Sequence, residues 1–414
     1  MISELSNVIQ PYAWGSHSAL ADLRGESRPT PQPEAELWMG AHPLAPSRLT
    51  ASNEALPAVL EASPAEHLGP EVQRRYGAQL PFLLKVLAAG TPLSLQAHPS
   101  IAQAEAGYAA DEAAGIALDS PERNYKDRNH KPELLCALGE FWALCGFREV
   151  APTLELFDTL ALPALLPYRK LLAAEPNATG ISRVFSSLLQ APSALARELS
   201  EVTSAACRAH QSHAGRFTQE LRWVARLGEL YPGDIGVVSA LLLNLLRLDA
   251  GEAIYLPAGN LHAYLGGVGV ELMANSDNVL RGGLTPKHVN VPELLRVLDF
   301  SPLEVKPLRA EAHGQEHVYA TPAHEFRLSY FELTPDAPDI DVPIHGPEIW
   351  LALRGELELR SPAGAAVRLA ALRSAFVSAA TGTLRLAGSG RIFRACVGLQ
   401  NGYGTSVAAG GAAS

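Results

Sequence analysis

Gln96 and His98 are the first residues whose types and spacing could do chemistry. They lie in the run Leu93–His98, which is predicted to be a strand, and residues two apart on a strand point to the same face. A glutamine oxygen and an imidazole nitrogen can therefore meet at one cation. The alternative is a buried polar pair on a sheet face, with no metal between them.

A second feature is the run Gly251–His262, which follows the pattern Gly-x5-Pro-x-Gly-x2-His. Pro257 and Gly259 favour a tight turn after the predicted strand Ala253–Leu256. His262 then opens the next strand, so its imidazole can point into the mouth of a small barrel. A hairpin followed by an ordinary hydrogen-bonded histidine would give the same spacing.

Glu133 lies where the charged run Tyr125–Glu133 meets an apolar one. A carboxylate at such a junction between a loop and a strand can turn inward, and Pro132 stiffens the approach to it. Taken alone, the charged run is also typical of a solvated loop.

Together these segments offer two nitrogen and two oxygen donors, from Gln96, His98, Glu133 and His262. Zinc accepts histidine nitrogen and carboxylate oxygen. A mixed set that includes a glutamine suits a catalytic site with room for water or substrate better than a structural one. Iron(II) and manganese(II) accept similar ligands, so the residue types leave the metal open.

Fixed positive charge lies further along, in the segment Val270–His288. Arg281 and Lys287 flank the flexible pair Gly282 and Gly283. The fork of an arginine suits phosphate oxygens. The segment is also rich in residues that favour turns, so a polar loop without a ligand is the alternative.

The composition is that of a globular protein with more than one domain. The 414 residues are 47% apolar and 18% charged, with a formal net charge of -10. That charge disfavours nucleic acid and anionic membranes as partners, so an anionic substrate needs a local basic pocket. The longest leucine-rich run, Ala240–Leu246, is far shorter than the roughly 20 apolar residues that span a bilayer.

The four cysteines form no Cys-x-x-Cys pair, so we expect buried free thiols in a reducing compartment. Residues Met1–Gln10 lack the basic and apolar regions of a signal peptide. A cytoplasmic location is therefore expected.

Three regions of the sequence differ in the pattern of their apolar residues. Residues 1–149 and the stretch from Leu241 onward carry short apolar runs split by Gly and Pro, which predict strands. Residues 150–239 carry apolar residues at three- and four-residue spacing, which predicts amphipathic helices. The strands at 325–398 suggest a second small barrel.

In order along the chain, the segments resemble the signatures of type I mannose-6-phosphate isomerases, which belong to the cupin superfamily. The resemblance is carried by Trp14–Ser16, Glu36–Pro43, Gln96–Pro99, Tyr125–Glu133 and Glu271–Lys287. It covers most of the chain up to Phe300 and is weaker beyond it.

The resemblance implies a mainly β fold with two cupin-like barrels, of the double-stranded β-helix or jelly-roll kind, and an inserted helical domain. The implied divisions are 1–149 plus 240–320 for a catalytic cupin domain, 150–239 for the helical insertion, 321–408 for a C-terminal cupin-like domain, and 409–414 for a disordered tail.

The resemblance also implies an activity, the interconversion of mannose 6-phosphate and fructose 6-phosphate through a cis-enediol. One zinc ion per chain is expected, held by Gln96, His98, Glu133 and His262. The expected partner is a small sugar phosphate, with no nucleic acid and no membrane, and the expected assembly is a monomer.

Further residues are expected at the active site, in part from motif positions of the same resemblance. The expected catalytic residues are Arg281, Lys131, Tyr264, Asp277 and Glu271, and the expected substrate-binding residues are Lys85, Ser94, His130, Lys287 and Trp14. Desolvation beside a cation can lower the pKa of a lysine, which makes Lys131 the first candidate for the general base. His130, Tyr264 and Asp277 are its rivals.

Two other functions stay open on the sequence. A sugar-phosphate-binding cupin without catalysis would keep the metal but show no turnover, and a cupin oxygenase would favour more histidines than Gln96 and Glu133 allow. Gly266 also stands where many cupins carry an asparagine. The C-terminal barrel has only His345 near a ligand-like position, so no metal is expected there.

Overall fold

The computed structural model describes residues 1–211 and 215–398. The predicted tail at 409–414 lies outside these residues.

The strands of the described chain lie on both sides of the helical block in the sequence. In chain order they are β1 (Ile2–Ser6), β2 (Val8–Gln10), β3 (Glu36–Gly40), β4 (Arg48–Leu49), β5 (Phe82–Ala89), β6 (Leu95–Ala97), β7 (Glu133–Ala137), β8 (Phe141–Phe147), β9 (Leu243–Leu248), β10 (Glu252–Leu256), β11 (His262–Ala274), β12 (Leu280–Gly283), β13 (Leu308–Arg309), β14 (Glu311–His313), β15 (Glu316–Val318), β16 (Arg327–Leu333), β17 (Ile340–Pro343), β18 (Glu348–Arg360), β19 (Ala366–Leu369), β20 (Ser374–Val377) and β21 (Thr383–Cys396).

The helices of the described chain are concentrated between β8 and β9. In chain order they are α1 (Ala19–Arg24), α2 (Leu56–Ala62), α3 (Pro64–Leu68), α4 (Pro70–Tyr76), α5 (Ile101–Ala113), α6 (Val150–Leu160), α7 (Leu166–Ala174), α8 (Ala178–Leu189), α9 (Ser193–His210), α10 (Thr218–Leu230), α11 (Gly236–Ser239) and α12 (Val291–Val297). Short 3-10 turns lie at Pro163–Leu165, Ala240–Leu242 and Ala379–Thr381.

Two antiparallel sheets account for the strands within the described residues. The first has eleven strands and runs β13-β10-β7-β11-β5-β3-β2, with β6, β8, β9 and β12 attached through β11. The second has ten strands and runs β14-β15-β16-β21-β18-β20-β1-β4, with β17 and β19 at its sides. The mainly β prediction with a helical block is therefore confirmed.

Strand β11 is the hub of the first sheet. It pairs with β5 and β7 along its second half, and with β6 and β8 near its start. A side chain on β11 is therefore held from both sides by hydrogen-bonded neighbours, which fixes its direction. Three of the predicted site residues, His262, Tyr264 and Glu271, lie on this strand.

Strand β5 is buried on both faces, which explains its continuous apolar run. Leu84 and Val86 pack in a core shared with Phe393 and Leu351 of the second sheet. Leu87, on the opposite face, lines the interior of the first barrel. The interface between the two sheets is thus a packed hydrophobic core.

The N-terminal strand crosses from one sheet to the other. β1 pairs with β20, with Ile2 opposite Val377, and β4 pairs with β1. The expected catalytic domain assigns all of residues 1–149 to the first barrel, whereas β1 and β4 pair within the second sheet. Nothing in a five-residue strand shows which distant strand will accept its hydrogen bonds.

Helices α6 to α10 pack as a block against the outer face of the first barrel. Their core includes Val184 and Leu221 and continues into Leu95 and Leu280 of the barrel strands and into Leu261, directly before β11. The prediction of helices in this stretch is confirmed. No helix within residues 1–211 and 215–398 is long and apolar enough to cross a membrane.

All four cysteines are buried and free of disulfides. Burial raises the pKa of the Cys136 thiol to about 11 and that of Cys207 to about 12. The expectation of buried free thiols is confirmed.

The shared core should dominate stability. Leu272 is fully buried there, whereas Leu230 at the end of α10 is 42% exposed. We expect Leu272→Ala to lower the free energy of unfolding by about 2–5 kcal/mol, because it removes apolar contacts and leaves a cavity. Leu230→Ala is the matched control and should cost under about 1 kcal/mol. Urea unfolding followed by tryptophan fluorescence measures both, and equal costs would contradict the assignment of this core.

Candidate active site

The four candidate metal ligands lie at strand ends that the sheet brings together. Glu133 is the first residue of β7 and His262 the first of β11. Gln96 lies on β6, directly opposite His262 in the register, and His98 follows the end of that strand. The predicted positions of Glu133 at a junction and of His262 at a strand start are confirmed.

The turn before His262 also holds the strand that carries the first ligands. Gly259 adopts φ +78°, a left-handed conformation that favours glycine. Its N–H donates to the backbone oxygen of His98 at 2.8 Å. The Pro-x-Gly turn therefore ties the His262 segment to the His98 segment through the backbone.

Three of the side chains point to one place. His98 Nε2 lies 3.4 Å from Glu133 Oε1, and His262 Nε2 lies 3.4 Å from Glu133 Oε2. The ligand atoms of these three residues all lie within 4.8 Å of one another, and all three residues are buried. This is the one such group that the described residues contain.

Gln96 completes the set. Its Nε2 lies 3.3 Å from His262 Nε2. A turn of the amide about its last bond exchanges nitrogen for oxygen, which gives a ligand atom at the same position. Gln96 and the three-residue group together provide the four predicted donors.

The chemistry of the group fits a divalent cation. Within the described chain, His98 Nε2 and Glu133 Oε2 are buried and have no hydrogen-bond partner, although such atoms are rarely left unpaired. Burial lowers the pKa of His98 to about 4, so its imidazole is neutral and free to bind a metal. Burial acts to raise the pKa of Glu133, but Lys131 and His98 outweigh it and hold that pKa well below its usual range.

Backbone oxygens orient both imidazoles. His98 Nδ1 donates to the oxygen of Asn278 at 2.7 Å, and His262 Nδ1 donates to the oxygen of Asn260 at 3.1 Å. These bonds fix the protons on Nδ1 and leave each Nε2 as an acceptor for a metal.

Asn278 also organises the loop that precedes Glu133. Its fully buried amide accepts from the Lys126 N–H at 2.7 Å and donates to the oxygen of Asn129 at 2.8 Å. In the sequence, Asn278 is one of several turn-forming residues in the segment Val270–His288. Its role depends on contacts about 150 residues away in the chain, which no local pattern reveals.

A cleft of about 590 Å³ lies beside the group formed by His98, Glu133 and His262, and most of the predicted site residues line it. Its lining includes Trp14, Lys85, Ser94, Gln96, Lys131, Glu133, Tyr264, Glu271, Asp277, Arg281 and Lys287. His98 and His262 lie behind it, against Glu133. The cleft is large enough for a hexose phosphate.

Lys131 is the cation nearest the metal group. Its Nζ lies 2.9 Å from Glu133 Oε1, and the residue is 8% exposed. A reacting carbon in the cleft could therefore lie next to both the amine and the metal ligands.

Arg281 and Lys287 give the cleft a positive side. Neither has a carboxylate partner within the described residues. Burial lowers the pKa of Lys287, and the charge of Arg281 lowers it further. Two cations without carboxylate partners are suited to an anionic group of a ligand.

Lys85, unlike Arg281 and Lys287, has carboxylate partners. Its Nζ lies 3.0 Å from Glu271 and 3.6 Å from Glu36, and it faces the ring of Trp38. Burial acts to lower the pKa of Lys85, but the carboxylates of Glu271 and Glu36 outweigh it and raise that pKa well above its usual range. Lys85 therefore stays charged and cannot act as a base near neutral pH.

Tyr264 lies on the floor of the cleft. Burial raises the pKa of its hydroxyl, and the negative charges of Glu271 and Glu133 raise it further. The hydroxyl therefore keeps its proton and can donate it in a hydrogen bond to a substrate oxygen.

Three residues of the segment Glu36–Pro43 reach the cleft but were not predicted as site residues: Glu36, Trp38 and His42. The segment contributed to the family resemblance, which was the signal that could have found them. His42 Nε2 lies 3.2 Å from Asp277 Oδ1. Burial acts to raise the pKa of Asp277, but the hydrogen bond and charge of His42, together with the charges of Lys131 and Lys85, outweigh it and lower that pKa.

His130 lies outside the cleft. Its Nε2 contacts Glu325 Oε1 at 2.9 Å, in the segment before β16 of the second sheet, and it does not line the cleft. The expectation that it binds substrate is therefore not met. Successive residues of an extended segment point in opposite directions, so Lys131 faces the cleft and His130 faces away.

The β-sandwich frame, the inserted helices and the buried His/Glu/His group together define a metal-binding enzyme of the cupin class. Two family models match the sequence: phosphomannose isomerase type I, catalytic domain, over residues 2–150, and the helical insertion domain of the same type over residues 168–243. The chain belongs to the type I phosphomannose isomerase family.

Individual relatives agree. The mannose-6-phosphate isomerase of Salmonella typhimurium is 40% identical over 95% of this chain and 99% of its own length. The human mannose-6-phosphate isomerase is 33% identical over 86% of this chain and 88% of its own. A zinc-bound crystal structure of mannose 6-phosphate isomerase superposes with a TM-score of 0.88, at 39% identity over 96% of this chain and all of that one.

Glu133 should be essential for metal binding. We expect Glu133→Gln to weaken zinc affinity by more than about 100-fold, because it removes the one carboxylate of the ligand group. Glu36→Gln alters a carboxylate of the same cleft outside that group and should keep full zinc content. Metal analysis after dialysis compares the two, and retention of stoichiometric zinc by Glu133→Gln would contradict the ligand assignment.

His98 should make the metal-free protein sensitive to acid. Its pKa is about 4 in the fold against 6.5 in a free side chain. As pH falls through this window, the unfolded chain binds a proton that the folded protein excludes, so stability falls. His98→Gln removes this effect, and its stability loss between neutral and mildly acidic pH should be smaller by about 2 kcal/mol. Urea titrations of both metal-free proteins test this, and parallel losses would refute it.

Proposed function

We propose that this protein is a zinc-dependent aldose–ketose isomerase that interconverts mannose 6-phosphate and fructose 6-phosphate. The observation that carries the proposal is the cleft itself. It lies beside a buried His/Glu/His group and Lys131, and its lining includes Arg281 and Lys287, which have no carboxylate partner within the described residues. A sugar phosphate needs both a group that acts on its carbonyl end and a binding site for its phosphate.

Zinc is the cofactor, at one ion per chain, with Gln96, His98, Glu133 and His262 as its ligands. When bound, it supplies Lewis acidity to the oxygens of the reacting carbons. A neutral glutamine in place of a second carboxylate leaves more positive charge on the ion.

Lys131 is the proposed base. In the forward direction it takes the proton from C2 of the open-chain aldose and returns it to C1, while one hydroxyl proton moves from O2 to O1. The cis-enediol lies between the two transfers. Lys131 is favoured because it lines the cleft next to Glu133, whereas Lys85 is held charged by two carboxylates.

The remaining residues bind and orient. Arg281 and Lys287 hold the phosphate or balance developing negative charge, and Ser94 and Trp14 line the same cleft. Tyr264 donates a hydrogen bond, and Glu271 keeps Lys85 in place. Asp277, fixed by His42, contacts substrate hydroxyls or relays a proton. A monomeric state and a cytoplasmic location remain predictions from the sequence.

A metal-binding cupin without catalysis is the second candidate. The position of an amine 2.9 Å from a metal-ligand carboxylate argues against it, because binding alone does not require a proton acceptor there. An assay for fructose 6-phosphate formation from mannose 6-phosphate, with and without a chelator, separates the two candidates. Binding of mannose 6-phosphate without turnover in the zinc-loaded protein would favour the non-catalytic one.

Removal of the Lys131 amine should stop the reaction without loss of zinc. We expect Lys131→Met to lower kcat by at least about 1,000-fold, because the proposed base is lost while side-chain volume is kept. Lys126→Met is the matched control, since the Lys126 amine donates to the oxygen of Leu118 and does not line the cleft. The control should keep near-normal kcat. Turnover close to that of the unmodified enzyme in zinc-loaded Lys131→Met would remove Lys131 as the base.

A further inference from the structure

The segment that carries Lys131 is held at several points. The side-chain amide of Asn278 donates a hydrogen bond to the backbone oxygen of Asn129 at 2.8 Å. The backbone N–H of Ala274 donates to the backbone oxygen of Pro132 at 3.1 Å. Both contacts come from the first barrel. Between them lie His130 and Lys131, whose positions depend on their own side-chain contacts.

His130 provides a contact of a different kind, because its partner belongs to the other sheet. Its Nε2 lies 2.9 Å from Glu325 Oε1. The side chains are only 24% and 16% exposed, so the pair is shielded from competing water. Burial acts to raise the pKa of Glu325, but the hydrogen bond from His130 and its charge outweigh it and the pKa is lowered.

Glu325 is itself firmly supported. Its neighbours Ala323 and Phe326 are buried in the core that joins the two sheets. From behind, Gly398 packs so closely that a Cβ there would lie 2.3 Å from the Ala323 oxygen and 2.7 Å from the Phe326 oxygen. The carboxylate therefore projects from a rigid loop.

We propose that Glu325 is a positioning residue through which the second barrel sets the place of Lys131. Glu325 fixes His130, and His130 fixes the backbone next to the proposed base. The inference rests on the proposed function, since it needs Lys131 to act in the reaction. It also gives the C-terminal barrel a part in catalysis, although that barrel contributes no side chain to the cleft within the described residues.

The test compares variants of Glu325 and His130 with a control variant by steady-state kinetics and zinc content. Glu325→Ala and His130→Ala should each lower kcat about tenfold or more with KM within about twofold, because a misplaced base slows proton transfer more than it weakens binding. Zinc content should be unchanged. Glu325→Gln keeps an oxygen that can accept from His130 and should retain most of kcat.

The double variant Glu325→Ala with His130→Ala should be no slower than the slower of the two single variants, because both remove the same contact. Glu332→Ala is the control for the second barrel: Glu332 pairs with Arg354 and Arg391 on the exposed side of that sheet, and its loss should leave kcat unchanged.

Other results would overturn the inference. A kcat of Glu325→Ala within about twofold of the unmodified enzyme would do so, as would losses that multiply in the double variant. A lower melting temperature with unchanged kcat would show a purely structural contact. Normal turnover of zinc-loaded Lys131→Met would also overturn the inference, because Lys131 would then not be the base, although the isomerase activity would stand. The proposed function fails separately, if the zinc-loaded unmodified protein binds mannose 6-phosphate without turnover.

Discussion

The burial of one carboxylate beside two buried imidazoles is the constraint on which the rest of the site depends. Glu133 is 2% exposed, His98 and His262 are each 1% exposed, and the three face one another across gaps of 3.4 Å. Removal of a charge from water costs several kcal/mol unless another charge compensates it. The amine of Lys131 lies nearest to that carboxylate, and a divalent cation would compensate its charge. The same arrangement therefore explains why the group suits a divalent cation.

The frame that makes this burial possible is the long strand β11 and its neighbours. Glu133, Gln96 and His262 come from three strands, and β11 pairs with both of the others. Backbone bonds at Gly259 and Asn278 hold the remaining ligand, His98, from outside the sheet. Because each ligand is fixed by the ladder or by a backbone oxygen, the site is preorganised, and metal binding need not order a flexible loop.

The three lysines of the cleft differ in the number of carboxylates around them, and this difference gives them different roles. Lys85 has two carboxylate neighbours, Lys131 has one that is also a metal ligand, and Lys287 has none in the described chain. The first is a structural charge, the second lies where a proton can be transferred, and the third is available to an anion. Residue type alone makes the three equivalent, and burial and partners distinguish them.

The sequence by itself predicted the candidate metal ligands, and it determined the mainly β fold with a helical block and the family. It could do so because ligand spacing, the Gly-x5-Pro-x-Gly-x2-His turn and apolar periodicity are local properties, readable over a few residues. The tertiary structure alone decided that β1 joins the second sheet, that Asn278 organises the loop before Glu133, that Glu36 and Glu271 neutralise Lys85, and that His130 turns toward Glu325. Each of these contacts joins residues far apart in the chain. Their direction follows from strand register and burial, which are set only when the whole chain has packed.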